Sequence, residues 1–229
     1  MIKGTKLFDI WKSGNYQPLD SNQATKLIAH MKEYVPRWVR IQRIQRDVPA
    51  QKIISGVKKS NLRQIVEKEM KNHNKTCQCI RCREIGHKSL ETPIDFSSLD
   101  VGLSRINYEA SCSLEIFLSI EDRKQDLIIG YLRLRDVALS HRYELNNESC
   151  MIIRELKILG MELAIGQKTK SAIQHRGFGR QLVNEAEKIC FEEFDKKKLY
   201  VLSGIGVKQY YRNLGFSDDG VYLSKGFYS

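Results

Sequence analysis

A short glycine-containing segment between two regular stretches constrains the fold of this chain more than any other feature. Residues 174–179 read Gln-His-Arg-Gly-Phe-Gly, after a β-type stretch and before a helical run from Arg180 to Phe194. Glycines let backbone N–H groups approach a bound group closely, and the first turn of a helix offers free N–H donors and a partial positive charge. The segment therefore predicts a strand–loop–helix unit that can hold an anion, although a glycine turn that only opens a helix would have the same residues.

The stretches around this segment predict a mixed α/β (α+β) domain. Period-two alternation and short apolar runs bounded by turn residues are typical of strands, and spacings of three and four are typical of helices. A polar turn over 121–126 joins the first two strands into a hairpin. The predicted strands cover 114–120, 127–134, 151–158, 199–202 and 220–223, and the predicted helices cover 180–194 and 204–216.

The net charge of +11 is confined to the first ninety residues. Residues 1–90 hold 19 of the 38 Lys and Arg but only 7 of the 27 Asp and Glu, a balance of +12, whereas the remainder balances at −1. Such an asymmetry predicts a separate basic unit that faces a polyanion, and nucleic acid is the polyanion that a basic surface binds by displacing counterions. With no signal peptide and no long apolar run, we expect a cytoplasmic protein with no membrane partner.

The basic N-terminal unit is predicted to contain helices over 22–34 and 62–72 and, between them, a strand over 38–46. The strand has arginines on both faces, so they either meet phosphate at the surface or form structural salt bridges with acidic residues. Helix–strand–helix order suggests the end of a β/α unit that is too small to be a complete barrel. The basic residues predicted to contact nucleic acid are Arg40, Arg43, Arg46, Lys58, Lys59, Arg63, Lys75, Arg81 and Lys88.

Three cysteines and a histidine are clustered within residues 77–87. Cys77, Cys79, Cys82 and His87 could close around one tetrahedral ion, and a complete set of four protein ligands predicts a structural zinc site. The spacing predicts one tight loop in which Gly86 permits the turn before His87. His73 is an alternative fourth ligand, and free buried cysteines are the alternative to a metal site.

Taken together, these motifs resemble the C-terminal part of the Elongator catalytic subunit, a family of tRNA uridine acetyltransferases of eukaryotes and archaea. The resemblance extends over nearly the whole chain. It implies the end of a radical-SAM β/α barrel followed by a GNAT acetyltransferase domain, which uses acetyl-CoA to modify the wobble uridine of certain tRNAs. The matching segments include Trp11-Lys12-Ser13-Gly14, Val35-Pro36, Ser55-Gly56-Val57, Arg83-Glu84, Gly130-Tyr131-Leu132-Arg133, Arg154-Glu155-Leu156, Gln174-His175, Gly177-Phe178-Gly179 and Tyr210-Tyr211-Arg212.

The resemblance also implies roles for individual residues of the C-terminal half. One of the two tyrosines Tyr210 and Tyr211 is expected to face the thioester, with Tyr211 predicted, and the other to serve ordinary packing. A strand whose neighbour splays away would offer free backbone groups to pantetheine. The acetyl-CoA contacts are predicted at Glu155, Leu156, Lys157, Ile158, Gln174, Gly177, Phe178, Gly179, Arg180 and Tyr211.

One departure from the family pattern is large. The cysteine set that holds the family's iron–sulfur cluster is absent from this sequence, as is the barrel lysine that binds acetyl-CoA. We therefore expect residues 1–92 to be only the end of the barrel, with the GNAT-like domain at 93–229. We also expect that this chain alone does not cleave S-adenosylmethionine, and a separate chain that supplies the barrel is a candidate partner beside tRNA.

Two other functions remain open at this point. A GNAT domain could acetylate lysine side chains of proteins, with Glu155 as general base and Tyr211 as acid toward the leaving thiolate. Alternatively, the chain could be a catalytically silent module that binds tRNA.

Overall fold

The computed structural model describes residues 1–45, 47–92, 94–95, 98–137, 140–146, 149–160 and 177–226. The chain divides into two compact units, Met1–Cys82 and Arg83–Ser229. This division falls ten residues before the predicted boundary between domains, which stays a prediction. Among the residues described, none of the helices combines the length and the apolar character needed to cross a bilayer.

The first unit is helical in its described part. Its elements are α1 (Lys6–Lys12), α2 (Ser21–Glu33), a 3-10 turn (Ala50–Lys52), α3 (Leu62–Asn72) and the first three residues of α4 (Ile80–Arg83). Asp20 caps the N-terminus of α2 with a capping box: its carboxylate accepts from the backbone N–H groups of Asn22 and Gln23, and its own N–H donates to the Gln23 side-chain oxygen. A small apolar core joins α2 to α3 through Ala29, Leu62, Val66 and Met70. The two long helices are confirmed close to their predicted bounds.

The predicted strand over 38–46 is wrong. In the described part of this segment the carbonyl groups are bound individually rather than by a neighbouring strand. The Val39 carbonyl accepts from the Ile80 N–H at 2.9 Å, and the Ile41 carbonyl accepts from the Arg63 guanidinium at 2.9 Å. Period-two alternation identifies an extended chain, but a strand also needs a partner ladder, and only tertiary structure supplies one.

The second unit contains α5 (Ile85–Glu91) and, in its described residues, a sheet of seven strands in the order β1-β2-β3-β4-β5-β7-β6. The pairs are antiparallel except for β4 with β5, which are parallel. The class and the order of elements predicted for the GNAT fold are confirmed. The elements are β1 (Val101–Ala110), β2 (Ser113–Asp122), β3 (Leu127–Asp136), β4 (Cys150–Ile158), α6 (Phe178–Lys188), β5 (Lys198–Val201), α7 (Lys208–Arg212), β6 (Ser217–Asp219) and β7 (Tyr222–Gly226).

The sequence interpretation missed β1 as a separate edge strand. It joins β2 through a two-residue turn, in which Ser111 and Cys112 have φ values of 49° and 58°. Both residues adopt the left-handed conformation that two-residue hairpin turns require, and neither is the glycine or asparagine that signals such a turn.

Helix α6 packs against one face of the sheet, and the apolar core lies between them. Leu182, Val183 and Ala186 of the helix are fully buried among apolar side chains of the central strands. The predicted helix over 180–194 continues beyond α6 as a wider π-helical turn at Ile189–Glu193. The sheet residues of this core include Ile116, Leu118, Ile120, Leu132, Leu134, Met151, Ile153, Leu199, Val201 and Leu223.

Strand β4 changes its neighbours halfway along its length. Its register with β3 shifts where Leu134 pairs with Ile153 and Arg133 pairs with Glu155, so Arg154 forms a β-bulge. Its pairing with β5 ends where Ile153 meets Val201. Within the described residues, β4 beyond Ile153 therefore has a sheet partner on the β3 side and an open edge on the other.

Candidate active site and candidate metal centre

The predicted anion-binding loop ends at a glycine that opens α6. Gly177 has a φ of +78°, a conformation that residues with a Cβ rarely adopt, and the helix begins at Phe178. The exposed side chain of Arg180 lies in the first turn of the helix. Of the predicted contacts, Gln174 lies outside the described residues, together with the histidine and arginine that follow it.

Gly179 brings the first turn of α6 against the other two parts of the predicted site. A Cβ atom at this position would lie 2.6 Å from the Tyr210 hydroxyl oxygen and 3.8 Å from Cγ1 of Ile158. Real Cβ atoms do not approach other atoms as closely as 2.6 Å, so a side chain here would displace the tyrosine. The start of α6, the end of β4 and the tyrosine of α7 consequently converge at one place.

The open part of β4 holds the four residues predicted to contact the cofactor. Leu156 and Ile158 face the apolar core, whereas Glu155 and Lys157 lie on the opposite face of the sheet. Because β5 has ended, this edge offers backbone N–H and C=O groups to an extended ligand. Gly130 lies opposite Ile158 in β3, and a Cβ there would lie 2.6 Å from Cδ1 of Ile158, so glycine permits the close pairing.

The Glu155 carboxylate is surrounded by donors. It accepts hydrogen bonds from the Tyr131 hydroxyl at 3.0 Å and the Arg133 Nε at 3.0 Å, and it pairs with the Lys157 ammonium at 2.6 Å. Burial raises the pKa of Glu155, but the hydrogen bonds from Lys157, Arg133 and Tyr131 outweigh burial and hold the pKa below its ordinary value. The Glu155 carboxylate is therefore ionised at neutral pH, where it accepts hydrogen bonds but is a weak general base for catalysis.

The two adjacent tyrosines of α7 have different environments. Tyr211 is 6% exposed within the apolar core, with its ring centroid 5.8 Å from that of Phe216; burial, and repulsion from Tyr210 where that phenol is ionised, raise the pKa of Tyr211 to about 12. Tyr210 is 38% exposed and points its hydroxyl at the start of α6. Burial raises the pKa of Tyr210 and the charge of Arg180 opposes this shift, so both tyrosines are neutral at physiological pH.

The three clustered cysteines come together in the first unit. The sulfurs of Cys77, Cys79 and Cys82 all lie within 4.8 Å of one another, and Cys79 is fully buried. Hydrogen bonds from the Cys77 and Cys82 thiols lower the pKa of Cys79, which favours its thiolate. Zinc binds thiolate sulfur at about 2.3 Å, so two sulfurs on one tetrahedral ion lie about 3.8 Å apart. Three sulfurs within 4.8 Å of one another are therefore close enough to share a soft metal ion.

The predicted tight loop around this cluster is wrong, because most of its second half is helical. Gly86 and His87 lie inside α5 rather than at a turn, and the backbone of Gly160 lies 3.2 Å from a Cβ position at Gly86. His87 Nε2 is 3.5 Å from the Glu84 carboxylate, while His73 Nδ1 is 2.9 Å from the Glu69 carbonyl. The identity of the fourth ligand stays a prediction.

The basic residues predicted to bind nucleic acid are used in different ways. Lys58 and Lys59 are exposed, whereas Lys75 pairs with Glu33 at 2.9 Å. Arg43 pairs with Asp47 at 2.6 Å on the surface. Of the other predicted residues, Arg63 donates to backbone carbonyls, Arg40, Arg81 and Lys88 are half-buried, and Arg46 lies outside the described residues.

One polar residue at the cysteine cluster escaped the sequence interpretation. Lys32 of α2 is 1% exposed, and its ammonium lies 3.4 Å from the Cys82 sulfur. Its position could have been anticipated, because Lys32 follows the buried Ala29 by three residues and Ile28 by four and so shares the buried face of the helix.

Comparisons with known proteins relate both units to one group of enzymes. Residues 1–72 match the Radical_SAM C-terminal domain. The chain is 46% identical over 226 residues to the tRNA uridine(34) acetyltransferase of Methanocaldococcus jannaschii, with 98% of this chain and 42% of the relative covered. It is 38% identical over 227 residues to Elongator complex protein 3 of Saccharomyces cerevisiae, with 98% and 40% covered.

A solved structure agrees with these sequence relatives. The archaeal Methanocaldococcus infernus Elp3 with an N-terminal deletion matches with a TM-score of 0.90 and 45% identity, covering 99% of this chain and 53% of that chain. The chain thus spans about two fifths of the length of the curated relatives that it matches.

Proposed function

The chain corresponds to the C-terminal part of the Elongator catalytic subunit family, and from this premise we propose that it binds acetyl-CoA as the acetyltransferase half of a tRNA-modifying enzyme. The reaction of the whole enzyme would be acetyl transfer toward the wobble uridine of tRNA, with acetyl-CoA hydrolysis stimulated by tRNA. Iron–sulfur and S-adenosylmethionine chemistry would belong to the radical-SAM barrel outside this sequence.

The observation that carries the proposal is the convergence of the open edge of β4 with the start of α6. The free backbone groups of Glu155–Ile158 suit the amide groups of pantetheine, as an added strand suits a sheet edge. The first turn of α6, opened by Gly177 and carrying Arg180, suits the pyrophosphate. A ligand that follows both features would bring its thioester beside the tyrosines of α7.

A tyrosine hydroxyl at this point would donate a proton to the leaving thiolate of coenzyme A. The predicted acid is Tyr211, and its raised pKa keeps the hydroxyl protonated at neutral pH. Tyr210 is the better-placed candidate, because its hydroxyl is the one directed at the start of α6. Replacing each tyrosine by phenylalanine in turn and measuring acetyl-CoA turnover distinguishes the two assignments.

The environment of Glu155 argues against the rival function of protein lysine acetylation. A lysine nucleophile needs a base whose pKa lies near the working pH, and Glu155 is held ionised by three donors with a lowered pKa. We instead propose that Glu155 orders the open strand for the cofactor. Incubation with labelled acetyl-CoA and either unfractionated tRNA or histone peptides separates the functions, and a silent tRNA-binding module would show affinity without turnover.

Calorimetric titration with acetyl-CoA tests the binding site. Arg180→Glu places a negative charge beside the proposed pyrophosphate, so we expect it to weaken acetyl-CoA binding by about tenfold or more. Lys188→Glu is the matched control, because Lys188 is exposed at the other end of α6 and should leave binding unchanged. Absence of heat with the unaltered chain at near-millimolar acetyl-CoA would refute the proposal.

We also propose one zinc ion on Cys77, Cys79 and Cys82, with His87 as the predicted fourth ligand and His73 as the alternative. The convergence of three sulfurs supports the metal, and the soft thiolate set supports zinc. Such an ion would be structural, because a complete ligand set leaves no position for a substrate.

A further inference from the structure

A fully buried lysine contacts the cysteine cluster through its ammonium group. Lys32 is 1% exposed, and its ammonium donates to the Cys82 sulfur at 3.4 Å. In the part of the chain that the structure describes, the Lys32 nitrogen has no carboxylate oxygen within 4.0 Å, and its polar partner is that sulfur. A buried ammonium therefore has a sulfur where a counterion is needed.

Physical chemistry decides which form of the sulfur can fill this role. Burial of an ammonium next to a neutral thiol leaves the positive charge uncompensated, and an isolated buried charge is strongly unfavourable. A thiolate bound to a metal ion would compensate the charge through a charge-assisted hydrogen bond. The Glu67 carboxylate accepts from the same sulfur at 4.0 Å, so both an ammonium and a carboxylate contact Cys82.

We propose that Lys32 is the charge-compensating partner of a metal–thiolate centre built on Cys77, Cys79 and Cys82. A divalent ion displaces the three thiol protons, and two positive charges against three thiolates leave one negative charge on the centre. Lys32 would place a positive charge in direct contact with this negative centre, whether the fourth ligand is a neutral imidazole or water, and it would also offset the charge of the nearby Glu67 carboxylate. Lys32 is thus a positioning residue that sets metal affinity through Cys82, and this inference rests on the proposed metal site.

The geometry of α2 supports this role. Helix α2 packs on α3 through Ala29, while Glu67 lies on α3, so the two helices deliver Lys32 and Glu67 to the same sulfur. Partners outside the ligand shell typically change metal affinity by about 10- to 100-fold when they are replaced. A lysine that only filled space between the helices would have no such effect.

The test measures metal affinity and stability of the full 229-residue chain. Lys32→Met keeps the length of the side chain and removes the charge, whereas Lys32→Arg keeps the charge. Lys26→Met is the matched control, because Lys26 is exposed on the same helix. Elemental analysis gives the zinc content, chelator competition gives the affinity, and the sulfur-to-cobalt absorption of the Co²⁺ form reports thiolate ligation.

We expect Lys32→Met to bind zinc about 10- to 100-fold more weakly than the unaltered chain, and Lys26→Met to be unchanged. Lys32→Arg should retain more affinity than Lys32→Met. Melting temperatures add a readout that separates charge compensation from packing. With metal, Lys32→Met should melt below the unaltered chain, but after chelation it should melt at the same temperature or higher, because the uncompensated ammonium is gone.

Each other result has a defined meaning. If the unaltered chain binds no zinc and gives no thiolate spectrum with Co²⁺, the metal site itself is refuted. If the unaltered chain binds metal and Lys32→Met binds it equally well, the role of Lys32 alone is refuted. Equal loss of stability with and without metal would assign Lys32 to packing and also overturn the inference.

Discussion

At the scale of single residues, the candidate cofactor site depends on the missing side chain of Gly179. This glycine lies in the first turn of α6, where a Cβ would meet the Tyr210 hydroxyl at 2.6 Å. The obstacle is the end of a side chain rather than backbone, so the helix itself can stay in place while the tyrosine moves. Gly179 is therefore expected to position a functional hydroxyl more than to stabilise the fold.

Gly179→Ala should lower acetyl-CoA turnover by up to about 100-fold, because a misplacement near 1 Å has effects of that size. The double variant Gly179→Ala with Tyr210→Phe removes the hydroxyl from the collision. Gly179→Ala should therefore lower turnover by a smaller factor in the Tyr210→Phe background than in the unaltered chain. Gly206→Ala is the control, because nothing lies within 4 Å of its Cβ position. Turnover in Gly179→Ala equal to that in Gly206→Ala would contradict this reading.

The sequence reveals those site residues whose role depends only on residues near them in the chain. The glycines and the β4 segment were predictable, because a positive φ at Gly177 and alternation in Met151–Ile158 are properties of a few adjacent residues. The contact of Lys32 with Cys82, and which of Tyr210 and Tyr211 faces the start of α6, were not, since both depend on contacts with residues far along the chain. The bulge at Arg154 likewise becomes visible only in the pairing with β3.

At the scale of elements, one buried carboxylate ties four strands together beside the open edge. Glu115 of β2 has a side chain only 3% exposed and accepts from the Tyr108 hydroxyl of β1 at 2.7 Å. It also pairs with Arg135 of β3 at 3.1 Å and with Arg154, the bulge residue of β4. The network thereby holds the bulge that marks the start of the open part of β4.

Glu115→Gln should destabilise the chain by about 3 kcal/mol, because it removes the charged carboxylate that Arg135 and Arg154 share. Burial raises the pKa of Glu115, but the bonds from Tyr108, Arg154 and Arg135 outweigh it and the pKa is lowered. A carboxyl group with a lowered pKa stabilises the fold fully when the pH is above its unfolded pKa of about 4.3. This stabilisation is lost as the pH falls through the lower pKa of the folded state. The difference between the unaltered chain and Glu115→Gln should therefore shrink below about pH 4.

Urea unfolding at several pH values measures this difference. Glu109→Gln is the control, because Glu109 is exposed on the edge strand and should change the stability by well under about 1 kcal/mol. A stability difference that is independent of pH would show that the network does not depend on the charge of Glu115.

The predictable elements are those whose pattern is complete within themselves. Helices α2 and α3 and strands β2 to β5 have strong periodicity and clear ends, so their sequence was sufficient. The segment 38–46 and the helices α4 and α5 were misread for one reason: short elements take their conformation from tertiary contacts such as the Val39–Ile80 bond.

At the scale of the whole molecule, the charge asymmetry predicts where a polyanionic partner binds. The excess of +12 lies in residues 1–90, and the remainder of the chain is nearly neutral. Several predicted cations are engaged within the protein, notably Arg63 with backbone carbonyls and Lys75 with Glu33. Lys58 and Lys59 are exposed, which makes them the cleanest test of a phosphate-binding surface.

We predict that the double reversal Lys58→Glu with Lys59→Glu weakens binding of unfractionated tRNA and lowers its salt dependence. Each lost phosphate contact reduces the log–log slope of affinity against salt by about 0.7 to 0.9. The control is Lys124→Glu with Lys197→Glu, which changes the net charge equally at exposed positions of the second unit. Binding measured at two salt concentrations should fall for the first pair and stay near the unaltered value for the second. Equal losses in the two pairs would mean that tRNA responds to the net charge of the chain, and the basic surface of residues 1–90 would lose its assigned role.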